Sequence, residues 1–165
     1  MAQLNSKELT TLPVGRLGLV PLQSCRPLGE KVDEWLVQWR KERISPELDS
    51  FAFEGYRRDS YIVDVKTPRF GSGEGKGEIG ESVRGDDIYL MVDVCNHSLS
   101  YRISGFTNLM SPDDHFQDLK RVIAAIGGKA RRINVIMPFL YESRQHKRTK
   151  RESLDCAIAL EELVA

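Results

Sequence analysis

The sequence predicts an α/β protein, with a mostly parallel sheet and helices on both of its faces. Three observations lead there. Apolar runs of strand length alternate with segments whose apolar residues recur at three- and four-residue steps, the order that winds a parallel sheet through right-handed crossovers. The run Ile88 to Val94 (IYLMVDV) is apolar on both faces, as suits a central strand covered on both sides. Pro, Gly and Ser punctuate the boundaries where helices would start and stop.

Taken in order, residues 1–15 read as a loose terminus and Arg16 to Leu22 (RLGLVPL) as a first strand. Ser24, Cys25 and Arg26 lead into Pro27, which suits the first turn of a helix. Leu28, Val32, Trp35, Leu36 and Trp39 then form one apolar stripe. Helical periodicity makes that stripe a core face, the alternative being a tryptophan stacking platform. Tyr61 to Lys66 (YIVDVK) alternates as a strand does, and the glycine-rich Phe70 to Gly77 (FGSGEGKG) follows it. Beyond the central run, Asn96 to Met110 has no clear period and reads as a loop. Ser111 with an acid three residues on marks a helix start, Phe116, Leu119, Val122, Ile123 and Ile126 supply its apolar face, and Gly127 and Gly128 close it. Arg132 to Met137 (RINVIM) is the next strand, stopped by Pro138. Ser153 is expected to cap a last helix with Leu154, Ala157, Leu160 and Val164 on its apolar face, Glu161 falling close to that face. A sheet of this kind binds ligands at the carboxyl ends of its strands. The loops Ser24–Arg26, Asn96–Met110 and Phe139–Glu152 are therefore expected on one rim. An α/β unit that stops on an apolar helix also predicts further strands and helices.

Composition narrows the function classes. Lys plus Arg equals Asp plus Glu, 24 each, so no global field favours nucleic acid or a membrane surface. No apolar run approaches the ~20 residues of a membrane span, and the amino terminus lacks a signal core. The three cysteines, Cys25, Cys95 and Cys156, are odd in number and widely spaced. That speaks against a disulfide framework and a zinc site and for a reducing, cytoplasmic setting. His97, His115 and His146 lie far apart without metal-ligand spacing, and no serine or cysteine has the setting of a nucleophile elbow.

Two stretches could carry chemistry. Glycines from Gly71 to Gly77 would let backbone amides approach a phosphate, yet the pattern is neither a dinucleotide fingerprint nor a Walker loop, and composition favours a hairpin turn. Arg144, Gln145, His146, Lys147, Arg148, Lys150 and Arg151 put five cations and a histidine within eight residues of one expected rim loop. Such a set suits a polyphosphate. A solvated basic loop and a nucleic-acid patch are the other readings, the last weakened because no aromatics interleave the cations.

Both stretches lie within motifs that resemble the amino-terminal half of the ribose-phosphate pyrophosphokinases. The family pattern Arg-Phe-x-Asp-Gly-Glu, then Ile-x-Glu-x-Val-Arg-Gly and an apolar strand, is matched in register by Phe70, Gly73, Glu74, Ile79, Glu81, Val83, Arg84 and Gly85. The family's apolar strand ending in Pro, aromatic pair, Tyr-x-Arg-Gln-Asp and basic run to Arg-Glu is followed by Pro138, Phe139, Tyr141, Arg144, Gln145, Arg151 and Glu152, with one extra residue between Tyr141 and Arg144. The resemblance covers most of residues 16–165 as one domain. It implies a phosphoribosyltransferase-like, Rossmann-like fold with a protruding β-hairpin. It also implies transfer of the β,γ-diphosphoryl group of ATP to the 1-hydroxyl of ribose 5-phosphate with Mg²⁺, by a homo-oligomer. On this sequence it assigns nucleotide contacts to Phe70, Ser72 and Glu74, reaching the adenine bound by a neighbouring subunit, and to Arg144, Gln145 and His146. Ser72 and His146 each stand where the family has Asp, and Asn96–Met110 is longer than the family leads one to expect. The family's ribose-5-phosphate loop and its later histidine and lysine belong to a second half, so these 165 residues are expected to be inactive alone. A catalytically silent regulatory or assembly relative and a basic-loop RNA-binding module are the competing readings.

Overall fold

The computed structural model describes residues 13–42 and 55–164. Most of the expected loose terminus, residues 1–12, lies outside them. The parallel sheet has the order β1 (Leu17–Pro21), β4 (Asp87–Met91), β7 (Arg132–Ile136). As expected, the doubly apolar run is the central strand, with Ile88 opposite Gly18 on one side and Ile133 on the other. Its alternation feeds two cores. Val20, Ile88 and Leu90 face α2 (Pro112–Ile126), meeting Phe116, Leu119 and Val122, and α3 (Asp155–Val164) adds Ala159. Leu19 and Tyr89 face α1 (Arg26–Glu42), meeting Val37, Val32 and Leu36.

Four expectations change. The Leu28–Trp39 stripe of α1 is the core face only in part: Val32 and Leu36 pack against the core, while Leu28, Trp35 and Trp39 are 44%, 55% and 50% exposed. The buried column is Gly29, Asp33 and Val37. A Cβ at Gly29 would collide with Pro21, so the helix lies close to β1 on its small side. Asp33 is drawn in because its Oδ1 accepts the Tyr61 amide at 2.6 Å. Tyr61–Lys66 is not one strand. Tyr61 to Val63 runs parallel beside β1 through a Leu19–Ile62 bridge, and Val65–Lys66 (β2) then pairs antiparallel with Glu78–Ile79 (β3). The expected loop Asn96–Met110 contains an antiparallel hairpin, β5 (Ser100–Ile103) with β6 (Phe106–Leu109). Its two-residue turn, Ser104 and Gly105, has φ of 49° and 87°, the left-handed pair that matches strand twist. Finally, α3 starts at Asp155, and the Ser153 hydroxyl bonds the Asp155 carboxylate at 2.6 Å instead of capping an amide. Its buried residues are Cys156 and Ala159, while Leu160 and Val164 are exposed. The inward face carries Cys156, Ala159 and Leu163, one position away from the face that an apolarity count picks out.

The start of α2 is as read. Ser111 and Asp114 form a reciprocal capping box, and Gly127 closes the helix with φ 58°. Among the described residues no helix is long and apolar enough to cross a membrane, and Cys25, Cys95 and Cys156 are free thiols.

The Asp33 contact gives the first test. Asp33→Ala leaves the buried Tyr61 amide without its acceptor and should cost about 1–3 kcal/mol in urea unfolding. Asp33→Asn keeps an acceptor oxygen and should cost clearly less. Equal losses would show that the carboxylate charge, not the amide bond, holds the strand.

Candidate functional site

Parallel strands end together, so the loops that follow them share one rim. Leu22 N donates to Met91 O and Val92 N to Ile136 O, aligning the three strand ends. The Ser24 hydroxyl accepts from the Asp93 amide at 3.1 Å, and Asn96 Nδ2 donates to Ser24 O at 2.9 Å. His115, 2% exposed on α2, places Nε2 2.7 Å from the Asn96 carbonyl. These bonds join the rim loops after β1 and β4 to α2.

The loop after β7 is fastened to the same helix. Tyr141 stacks on Phe116 with centroids 4.2 Å apart and its hydroxyl donates to Asp113 at 2.7 Å. Burial, then that hydrogen bond, raises the Tyr141 phenol above its ordinary range. Glu142 takes a left-handed φ of 56° at the start of the short turn Ser143–Gln145, in the segment that carries the one residue extra to the family spacing. Arg144 and His146 are exposed and Gln145 is half-buried. His146 Nδ1 lies 3.0 Å from the Ser143 carbonyl. Lys147, Arg148, Lys150 and Arg151 are exposed beyond it.

The glycine-rich stretch is a hairpin, as composition suggested. Phe70 N donates to Glu74 O and Gly73 N to Phe70 O, with a bridge between Arg69 and Gly75. Phe70 is 55% exposed at the turn, and the Ser72 hydroxyl donates to the Glu74 carboxylate at 2.8 Å. The base of the turn is anchored on α2. Arg69 meets Asp118 at 2.9 Å and Arg121 meets the same carboxylate at 2.8 Å, with the Arg69 and Asp118 side chains only 9% and 5% exposed. Burial raises the Asp118 carboxyl, and Arg121 and Arg69 oppose the rise.

The sites read from the sequence therefore form two groups. Phe70, Ser72 and Glu74 share one turn; Arg144, Gln145 and His146 share another. Both turns are tied to the amino-terminal half of α2, but among the described residues no hydrogen bond or ion pair joins them. The Ile79–Gly85 motif lies at the opposite end of the sheet. There Arg16 pairs with Asp86 at 2.7 Å and, with Glu81, Ser82, Arg84 and Gly85, lines an open cleft.

A family model, the N-terminal domain of ribose phosphate pyrophosphokinase, matches residues 17–165. The chain belongs to this family. The crystal structure of phosphoribosylpyrophosphate synthetase from Mycobacterium smegmatis is similar to this chain with a TM-score of 0.63 and 21% identity, over 90% of this chain and 39% of that chain. The domain thus spans well under half the length of that solved chain. Comparison with curated proteins finds no match.

Sequence reasoning missed Arg69, Tyr101, Asp118 and Arg121 as the support of the glycine-rich turn. The Ser-Gly pair between Tyr101-Arg102-Ile103 and Phe106-Thr107-Asn108 was the available signal for the hairpin that carries Tyr101.

Removing Arg69 leaves the buried Asp118 with one cation fewer, which raises its native pKa further above the unfolded value. The native state then binds a proton more readily than the unfolded chain, so stability is regained as pH falls. Arg69→Ala should cost about 3 kcal/mol near pH 7, and urea unfolding near pH 5 should show a smaller loss. A loss independent of pH would mean that the contact is packing, not charge.

Proposed function

We propose that this domain is the nucleotide-binding half of a ribose-phosphate diphosphokinase, a transferase that passes the β,γ-diphosphoryl group of ATP to the 1-hydroxyl of ribose 5-phosphate. The observation that carries the reading is the pairing of family membership over residues 17–165 with two turns, Phe70–Glu74 and Ser143–His146, tied to one helix, α2. Phosphoryl-type transfer needs positioning and charge neutralisation more than covalent chemistry. Arg144 offers a guanidinium fork for phosphate oxygens, Gln145 and His146 add hydrogen-bonding groups, and the cations after them add diffuse attraction that salt screens. Phe70 offers an aromatic face for the base, with Ser72 and Glu74 beside it, reaching a nucleotide held by a neighbouring copy in a homo-oligomer. Sedimentation as a strict monomer would remove that cross-subunit part.

Among the described residues no cluster of three or more His, Cys, Asp or Glu is placed to hold an ion. The Mg²⁺ implied by the family's chemistry finds no donor set here; phosphate oxygens and water commonly fill its shell. No sugar-phosphate loop of the family's type, a pair of Asp before a Thr- and Gly-rich turn, lies in these residues. The 165 residues alone should therefore form no AMP from ATP, Mg²⁺ and ribose 5-phosphate, and turnover above blank would contradict this division of labour.

The central test compares two cations of the same loop in the full-length protein. Arg144→Ala should weaken ATP binding by about 1.5–3 kcal/mol, the size of a hydrogen bond to a charged group. Lys150→Ala should cost roughly 0–1 kcal/mol, as a mobile exposed charge does. Calorimetric titration separates them. Equal, small losses would make the loop a solvated basic surface, and no ATP binding at all would favour a regulatory or assembly relative, which the exchanges at Ser72 and His146 would then explain.

A further inference from the structure

The hairpin β5–β6 is the part of this chain that the family pattern did not lead one to expect, and its inner face rests on the glycine-rich turn. Tyr101 pairs with Asn108 and Ile103 with Phe106 across the hairpin. Tyr101 and Ile103 are half-buried, while Ser100 and Arg102 on the other face are exposed. What covers the inner face is the turn. The Arg69 guanidinium lies 4.9 Å from the Tyr101 ring centroid, a cation–π contact formed by a side chain that is only 9% exposed. The Tyr101 hydroxyl reaches Asp114 at 3.4 Å. A Cβ at Gly73 would stand 2.7 Å from Ile103 Cδ1 and 3.7 Å from Tyr101 Cε2, and Gly73 has φ of 91°. The turn is thus enclosed from two directions: α2 holds Arg69 through Asp118, and the hairpin closes over Arg69 and Gly73.

We propose that the β5–β6 hairpin is a built-in brace that fixes the Phe70–Glu74 turn in one conformation on its own chain, with Tyr101 and Ile103 as positioning residues for nucleotide binding. A two-stranded hairpin with a short glycine-rich turn is mobile in isolation. Ordering it on binding would subtract from affinity, and ordering it beforehand removes that cost. The brace acts through Arg69 and Gly73, not by touching the nucleotide. Its occupant is already present, since the residues that fill the hairpin's inner face belong to the turn itself.

The binding half of the proposal rests on the nucleotide reading of Phe70–Glu74; the brace itself does not. The test uses full-length protein with two measurements on each variant: hydrogen exchange of the peptide spanning residues 69–75, and ATP binding by calorimetry. Tyr101→Ala and Ile103→Ala should each speed exchange of that peptide and raise the ATP Kd, both by about tenfold, the scale of a lost desolvated cation–π or packing contact. Exchange in β4 should not change. Tyr101→Phe, which keeps the ring over Arg69 but loses the hydroxyl contact to Asp114, should fall closer to the unmodified protein than Tyr101→Ala does, and Arg102→Ala, on the outer face, should behave as the unmodified protein. Ile103→Ala probes the brace at Gly73 without touching Arg69 or Asp114, so a folding defect of Tyr101→Ala would leave the test intact. Unchanged exchange in both alanine variants would overturn the brace. Faster exchange with unchanged ATP affinity would keep the brace and overturn its role in binding. Phe70→Ala without effect on ATP would instead sink the nucleotide reading of the turn.

Discussion

The Asp118 carboxylate is the point on which the candidate site depends. It is 3% exposed on α2, and two guanidinium groups from different directions converge on it. Arg121 comes from the same helix and Arg69 from the foot of the glycine-rich hairpin. A buried ion pair gives little net stability, but a missing partner is costly. The cluster therefore acts as a register pin: the hairpin can leave α2 only by taking one of two cations from a buried carboxylate. Arg69 also carries the Tyr101 ring, so one ion cluster fixes the relation of three elements, namely β2–β3, α2 and β5–β6.

The helix that holds this pin also carries the other turn. Asp113 and Phe116 grip Tyr141, and Tyr141 sets where the Arg144 turn begins. His115, on the same segment, is tied to Asn96 and through it to Ser24. The segment Ser111–Asp118 is thus the hub of the rim, and a capping box fixes its start. The proposed nucleotide contacts are exposed apart from the half-buried Gln145, and they are held by half-buried Arg69, Tyr101 and Tyr141 packed on buried Phe116 and Asp118. That division is the ordinary design of a binding site, in which rigid packing orients adaptable polar groups.

Much of this was legible in the sequence. The central strand Ile88–Val94, the Ser111 cap, the Gly127 stop and the order of parallel strands follow from patterns that depend on near neighbours. The glycine-rich hairpin and the rim position of Phe139–Glu152 were legible for the same reason. What was not legible depends on distant partners. Asp33 is buried because of an amide 28 residues away, and that turns α1 so that Trp35 and Trp39 face outwards. Cys156 and Ala159 are buried on a face one position away from that of the more apolar Leu160 and Val164, which are exposed. The hairpin at Ser100–Leu109 has alternating neighbours and a Ser-Gly turn, but its outward Phe106 and Leu109, 76% and 68% exposed, obscure the period. The Arg69–Asp118 pair joins residues that no local pattern links.

On the proposed function one bound nucleotide uses both turns, the base at Phe70 of one subunit and the phosphates at Arg144 of another. A crystal structure of the full-length protein with a non-hydrolysable ATP analogue and Mg²⁺ tests it most directly. Triphosphate oxygens should lie within hydrogen-bond reach of Arg144, with the adenine against a Phe70 ring contributed by a neighbouring copy. A triphosphate bound away from the Ser143–His146 turn, with Phe70 in solvent, would contradict it.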